Sequence, residues 1–278
     1  MNSLSPIVFT DMDGSLLDHY DYSHACADPL LAKLDQYQIP IIPTTSKTRA
    51  ECLHLRKELG NHHPFICENG AAVYIPVDYF THPPSDAHLL DQYHVKTMVE
   101  NRAHWQTILA QYAQHHPATY TSFEQLGIAG IMSLTGLDRA QAMRAAQREY
   151  SEPLKWLGST SEFDLFDEYM QSSGARLLKG GRFIHVSGEC DKGRALTWML
   201  AQYQRQLQQT LVTIALGDSL NDVAMLEAAD YAIVIRSPVH DIPTLNKAKH
   251  VIVTDQYGPQ GWVEGMTKIL TQLAITIE

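Results

Sequence analysis

Apolar and polar positions along this chain fall into two periods. Ile7-Val8-Phe9 is a β-branched and aromatic run that stops at acids and a glycine, and Ile39-Pro40-Ile41-Ile42-Pro43 is a second run that stops at Thr44, Thr45 and Ser46. Both predict buried strands that end in polar loops. Between them Leu30, Leu31, Leu34 and Tyr37 recur at helical spacing, and residues 50–59 do so again before Gly60. The same grammar returns towards the other end: 195–207 predicts a helix, 211–216 a strand running into Gly217-Asp218, 223–229 a helix and 231–235 another apolar run. Strands alternating with helices predict a parallel sheet. In open parallel sheets ligands sit beyond the carboxyl ends of the strands, which is where Asp11, Thr45 and Asp218 fall.

The middle of the chain reads differently. His82-Pro83-Pro84-Ser85 is turn chemistry and a candidate hinge, followed by a helical stretch at 101–114, an apolar run at 128–134, a second helix at 138–150 and a strand-like return at 182–186. The expected fold class is α/β: a doubly wound parallel-sheet (Rossmann-like) core, residues 1–84 and 188–278, with an inserted α+β cap domain at 85–187.

Composition narrows the function. With 278 residues, 45% hydrophobic and 19% charged, the chain fits a folded enzyme and excludes a disordered tail, a fibre or a repeat protein. A net charge of -10 disfavours nucleic acid, whose binding needs a basic stripe. An anionic small substrate is still compatible where a metal or a local group of cations reverses the sign inside one cleft. Cys26, Cys52, Cys67 and Cys190 form no metal-ligand or disulfide spacing, and the opening MNSLSPIVFTD lacks a basic segment and a long apolar run. Reduced thiols, a cytoplasmic location and no membrane partner are therefore expected.

Asp11-Met12-Asp13-Gly14-Ser15 follows the first strand directly, and period-two geometry turns Asp11 and Asp13 to the same side while Gly14 lets the backbone turn away. Read alone, this is either two carboxylates sharing a site or an Asx-rich turn. Gly217-Asp218-Ser219-Leu220-Asn221-Asp222 is read alone as either a second acidic site or an N-capping turn. Their combination with Thr45 and with Asp191-Lys192-Gly193, in the chain order Asp, Thr, Lys, Asp, changes the balance.

These four segments resemble the four motifs of the haloacid dehalogenase superfamily of phosphotransferases, in the order and spacing of members with a large cap after the second motif. Leu17-Asp18-His19-Tyr20-Asp21-Tyr22-Ser23, Thr45-Ser46-Lys47-Thr48-Arg49, Glu68-Asn69-Gly70, Arg148-Glu149-Tyr150-Ser151-Glu152-Pro153 and Gly180-Gly181-Arg182-Phe183-Ile184-His185 resemble its mannosyl-3-phosphoglycerate phosphatase family. Ser15 stands where Thr is commoner in the superfamily, and Ser46-Lys47 where many relatives have Gly-Arg; the second departure belongs to the narrower family's pattern.

The resemblance implies Mg²⁺ and an aspartyl-phosphate. A phosphate dianion repels a carboxylate nucleophile, so a divalent cation must offset that charge, and Mg²⁺ suits an all-oxygen site. Asp11 would be the nucleophile and a metal ligand, Asp13 the proton donor and later acceptor as well as a ligand through its backbone carbonyl, Asp218 a further ligand, and Asp222 a group orienting water at the metal. Protonation of Asp13 is expected to be favoured by an apolar cap and the Asp11 charge. Thr45 would hydrogen-bond a phosphoryl oxygen and Lys192 would stabilise charge on phosphate and nucleophile.

For the substrate, Ser46, Lys47, Glu68, Asn69, Glu149, Gly180, Gly181, Arg182 and His185 are the candidate contacts. The two glycines permit close backbone approach, and Arg182 offers a planar fork suited to a glycerate carboxylate. The expected reaction is release of phosphate from mannosyl-3-phosphoglycerate, a small anionic sugar-glycerate ester; a glucosyl or other sugar-phosphate phosphatase and a phosphomutase are the alternatives. His62-His63 and His115-His116, lacking i, i+4 spacing, are read as solvated loop or helix-end residues.

Overall fold

The computed structural model describes residues 5–179, 183–209 and 211–277. In the first half the elements are β1 (Ser5–Thr10), α1 (Asp28–Gln36), β2 (Ile41–Pro43), α2 (Arg49–Glu58), β3 (Phe65–Cys67), β4 (Ala72–Pro76), β5 (His88–Leu90), β6 (Tyr93–Thr97), α3 (Arg102–Ala113), β7 (Tyr120–Ser122), α4 (Phe123–Thr135) and α5 (Arg139–Ala145). Then follow β8 (Glu152–Trp156), α6 (Thr160–Ser172), β9 (Arg176–Lys179), β10 (Ile184–Ser187), α7 (Lys192–Leu207), β11 (Leu211–Gly217), α8 (Val223–Ala228), β12 (Tyr231–Arg236), β13 (His250–Tyr257) and α9 (Gly258–Gln272).

The core sheet runs β13-β12-β11-β1-β2 with every pairing parallel. Alternation in β1 sorts its side chains: Ile7 and Phe9 join a cluster with Leu196 and Met199 of α7, while Val8 joins Leu34 of α1 and Trp262 of α9 on the other face. Helices on both faces make the sheet doubly wound. Counting only these five strands in chain order, the sheet reads 2-1-3-4-5, and its switch point lies between β1 and β11. Asp11 and Asp218, one residue past each of those strands, flank it.

Inserted between the halves of that sheet are two antiparallel ones. β7-β8-β10-β9 packs Leu154, Ile184 and Val186 against Trp105 and Leu109 of α3 and Phe166 and Met170 of α6. β3-β4-β6-β5 was not anticipated: β4 pairs with β6 from Ala72↔Thr97 to Pro76↔Tyr93, so the sheet continues across the hinge expected at 84/85. Residues 128–134 are helical, within an α4 that kinks at Gly127 (φ 58°). The helix expected over 138–150 ends at Ala145, because the backbone N–H groups of Glu149 and Tyr150 bond to Glu68 instead of continuing the helix. Among the described residues no helix is long and apolar enough to cross a membrane.

Candidate active site

Three strand ends, those of β1, β2 and β11, and the start of α7 converge beyond the carboxyl edge of the core sheet. β1 delivers Asp11, whose backbone N–H donates to the Leu216 carbonyl of β11 (2.9 Å). Gly14 (φ 76°) then reverses the chain, and a Cβ there would lie 2.6 Å from Asp218 Oδ2; only glycine lets the two acidic loops approach so closely. The segment after β2 carries Thr45, buried, with its N–H on the Ile66 carbonyl (3.0 Å) and its hydroxyl accepting from Lys47 N (3.2 Å).

Lys192 opens α7, with Asp191 as its N-cap. Its fully buried ammonium donates to Asp11 Oδ1 and Asp222 Oδ1, each at 2.6 Å. The other Asp222 oxygen accepts from the N–H groups of Asp218 and Ser219, both at 3.1 Å. Asp222 is thus consumed in shaping the loop, which suits a supporting place behind the candidate metal ligands Asp11 and Asp218.

Three buried carboxylates therefore face one ammonium. Burial, only partly offset by Lys192 and reinforced by repulsion from Asp222 and Asp218, raises Asp11 well above the usual carboxylate range. Burial and the Asp222 charge push Asp218 up to about 6. Burial alone would lower the Lys192 ammonium, but Asp11 and Asp222 outweigh it and raise it. Oxygens of Asp11, Asp218 and Asp222 lie within 4.8 Å of one another. Hard, anionic, crowded oxygen donors with excess negative charge fit Mg²⁺.

Asp13 meets a different neighbour. Its Oδ2 pairs with Lys47 Nζ at 2.8 Å, and its Oδ1 is buried with no hydrogen-bond partner. Where an apolar cap was expected over this carboxyl, there is an ammonium that also lies 5.2 Å from the Tyr22 ring centroid. Burial alone would lower Lys47, yet Asp13 and Glu51 together raise it. Beside Lys47 a cavity of about 430 Å³ opens between the 21–25 loop, α2 and α5, with Tyr22, His54, Gln141 and Arg144 in its wall.

The substrate candidates divide. Ser46 and Lys47 adjoin Thr45, and Asn69 (φ 59°) sends its N–H to the Thr45 carbonyl (2.9 Å) and accepts from Asn221 Nδ2 (3.1 Å). Glu68 is buried, and its carboxylate receives the Glu149 N–H (2.8 Å), the Tyr150 N–H (3.3 Å) and the Ser151 hydroxyl. Glu149 in turn accepts from the Tyr74 hydroxyl and pairs with Arg49 Nη2 (3.0 Å). These two carboxylates join the insertion to the core. His185 lies on β10, on the face away from Ile184 and Val186. Gly180, Gly181 and Arg182 lie outside the described residues.

Sequence reasoning missed Asn221 and Arg148. Asn221 stood in plain view within the 217–222 segment, and Arg148 Nη1, 102 positions away, donates to the Ser46 carbonyl (2.8 Å). The loop at 61–64 also gathers Asp35, His62 and His63 within 4.8 Å of one another, at the opposite, amino end of the strands. Helical spacing says nothing about such a loop.

Residues 8–156 and 159–257 match the model of the haloacid dehalogenase-like hydrolase family. The chain is 37% identical to a glucosyl-3-phosphoglycerate/mannosyl-3-phosphoglycerate phosphatase of Methanococcoides burtonii, over 92% of this chain and 94% of that protein. It is 31% identical to a protein of the same name from Persephonella marina, over 96% of this chain and 98% of that one. A solved phosphatase of the haloalkanoate (HAD) enzyme superfamily from Bacteroides thetaiotaomicron shares the fold, with a TM-score of 0.65 at 16% identity over 99% of this chain and 97% of that one. The chain belongs to the haloacid dehalogenase-like hydrolases and, within them, to the mannosyl-3-phosphoglycerate phosphatase family.

Proposed function

We propose that this chain is a Mg²⁺-dependent phosphatase that hydrolyses mannosyl-3-phosphoglycerate to mannosylglycerate and phosphate. The observation that carries the reading is the separation of two carboxylates from one strand end: Asp11 is buried against Lys192, and Asp13 pairs with Lys47 at the cavity's edge. Two carboxyls in unlike surroundings suit two unlike roles.

Asp11 attacks phosphorus in line, forming the Asp11 oxygen–phosphorus bond as the bond to the glycerate oxygen breaks. Asp13 gives its proton to that departing oxygen, with Lys47 shifting from Asp13 to the phosphoryl group. Water then attacks the aspartyl-phosphate, Asp13 takes its proton, and Asp11 is regenerated as phosphate leaves. Thr45 and Lys192 hold the phosphoryl oxygens through both steps. The carboxylates of Asp11 and Asp218 and the Asp13 carbonyl would hold Mg²⁺, with Asp222 behind them. When bound, the cation offsets the negative charge that phosphate and nucleophile bring together.

The sugar fits the cavity beside Lys47, whose volume lies within the range of small-ligand sites. Ser46, Asn69, Glu149, Gly180, Gly181 and Arg182 are the further candidate contacts of the substrate, and the 85–187 insertion acts as the specificity cap. Four free thiols accord with a cytoplasmic enzyme. The names of both relatives also favour a second reading in which the glucosyl ester is an equal substrate. Phosphate release from mannosyl- and glucosyl-3-phosphoglycerate, sucrose 6-phosphate and hexose phosphates, with Mg²⁺, tests both: hexose phosphates hydrolysed as well as the glycosyl esters would sink the specific assignment.

A further inference from the structure

Arg148 is an unusual cation for a junction between a core and its insertion. Its side chain is only 7% exposed, so its charge has little help from solvent. Among the described residues all of its anchoring passes through one nitrogen: Nη1 donates to the Ser46 carbonyl (2.8 Å) and to Ser151 Oγ (3.3 Å), and lies 3.8 Å from Glu68 Oε2. Nε is buried with no hydrogen-bond partner, and the guanidinium's hydrogen bonds among the described residues start from Nη1, none from Nη2. Nε–H and the outward N–H of Nη2 form one straight edge of a guanidinium, the edge that pairs bidentately with a carboxylate. Buried donors in folded proteins are nearly always satisfied, so the bare Nε–H on that edge points to an acceptor that arrives from outside.

A second orphan lies close by. Nδ1 of His185 is buried without a partner. Its ring is turned away from the hydrophobic cluster that receives Ile184 and Val186, towards the side of the sheet that holds Pro153, just past the Arg148–Ser151 turn. We propose that the Nε–Nη2 edge of Arg148 and the Nδ1 of His185 form a carboxylate subsite of the active site, reading the glycerate carboxylate of the substrate. This rests on the phosphoglycerate reading above and names the residues that would enforce it.

The chemistry agrees on three counts. Ser46, to which Arg148 is tied, directly follows Thr45, so the fork lies next to the phosphoryl-binding segment; in a 3-phosphoglycerate ester one carbon separates the carboxylate carbon from the carbon bearing the phosphate. Glu68 already balances part of the Arg148 charge, which suits a monoanion better than a second phosphate. Burial and the Arg148 charge lower His185 to about 3, so at neutral pH it is an uncharged imidazole able to donate one N–H without adding repulsion to Arg148.

The test compares 3-phosphoglycerate with glycerol 3-phosphate, which differ only in the carboxylate. Binding of each is measured calorimetrically with Mg²⁺ in the turnover-blocked Asp11→Asn protein, alone and combined with Arg148→Lys or His185→Gln. Lysine keeps the charge and a donor for the Ser46 carbonyl but has no fork. The Asp11→Asn protein should favour 3-phosphoglycerate by tenfold or more; Arg148→Lys should cut that preference at least tenfold and His185→Gln several-fold. A purely structural Arg148 would weaken both ligands together and leave their ratio intact, which overturns the proposal, as does a starting ratio near one or binding of neither ligand. If Arg148→Lys does not fold, the ratio in His185→Gln decides. Should the ratios behave as expected while the glycosyl esters are hydrolysed no better than 3-phosphoglycerate itself, the glycosyl reading fails and the carboxylate subsite stands.

Discussion

Lys192 and Asp11, 181 positions apart in the chain, meet through a 2.6 Å bond in which the ammonium is completely buried. The same nitrogen holds Asp222, so one side chain compensates two acids brought together from β1 and the loop after β11. Replacing Lys192 by Met should leave both carboxylates uncompensated, and loss of one partner of a buried pair typically costs about 3–5 kcal/mol. Urea melts should show that loss, larger at pH 8 than at pH 5 where the acids can take up protons instead. Phosphate release should fall by roughly 10²–10³-fold, the usual effect of losing a preorganised charge at the reacting group. A variant with wild-type turnover would remove Lys192 from the mechanism.

Asp11→Asn and Asp13→Asn should fail in different ways. The first removes the proposed nucleophile and should abolish turnover for every ester. The second leaves the backbone carbonyl of residue 13 in place and removes only the proposed proton relay, worth about 10²–10⁴ in rate. That deficit should shrink for an aryl phosphate, whose leaving group needs little protonation. Equal losses on alkyl and aryl esters would contradict the acid role.

Metal should stabilise the fold as well as the reaction. Asp11, Asp218 and Asp222 are crowded around a single ammonium, and a divalent cation relieves that repulsion. At 100 times its dissociation constant, a ligand specific for the folded state adds about 2.7 kcal/mol. Mg²⁺ should therefore raise the melting temperature of the wild type, and do so much less in Asp218→Asn; chelation should stop phosphate release. An identical Mg²⁺ shift in both proteins would place the cation elsewhere.

The parallel core was legible because its rules are local and periodic. Ile7-Val8-Phe9 alternates between two helical layers and ends in Asp11, and Leu211 to Leu216 does likewise ahead of Asp218. The antiparallel sheet of β3, β4, β5 and β6 was not legible, since β5 and β6 are short, half exposed and separated from β4 by the Pro83-Pro84 turn that reads as a boundary. At the site, motif order picked out Asp11, Thr45, Lys192 and Asp218 as candidates, but no pattern in the chain couples Lys47 to Asp13, or Glu68 to residues 81 to 83 positions further on. Those are contacts between loops, whose partners are set by tertiary packing and not by any spacing.

His63 should make the fold acid-sensitive. Burial first, then the neighbouring His62 and Arg56 charges, with Asp35 opposing, lower it to about 4, and its Nδ1 is hydrogen-bonded to the Tyr79 hydroxyl (2.7 Å). In the unfolded chain the ring titrates near 6.5. A depressed pKa means the unfolded state takes the proton first, so this contribution is complete above about pH 6.5 and is lost as pH falls towards 4, on the order of 3 kcal/mol over the window. Urea midpoints at pH 7.5, 6.5, 5.5 and 4.5 should decline less steeply in His63→Gln than in the wild type. Parallel curves would mean that His63 is not the group responsible.

Glu68 should control how the insertion is seated. Its residue adopts φ 48°, a left-handed conformation that a non-glycine side chain enters only when the surroundings hold it there. Here its carboxylate takes two backbone N–H groups and the Ser151 hydroxyl from residues 149–151, and it lies beside Arg148. Hydrogen bonds to a charged group are worth roughly 1.5–3 kcal/mol each, and a buried donor left unpartnered is costly in its own right. Glu68→Gln keeps size and shape but loses the charge and turns one acceptor oxygen into a donor, which cannot satisfy an N–H. Amide exchange at Glu149 and Tyr150 should then accelerate by tenfold or more, with helix α7 little affected. With the phosphoryl group held by the core and the remainder of the substrate by the junction, as proposed above, KM for a glycosyl phosphoglycerate should rise further than kcat falls. A Glu68→Gln protein with unchanged exchange at 149–150 would show that the turn is held by the insertion's own packing and not by this carboxylate.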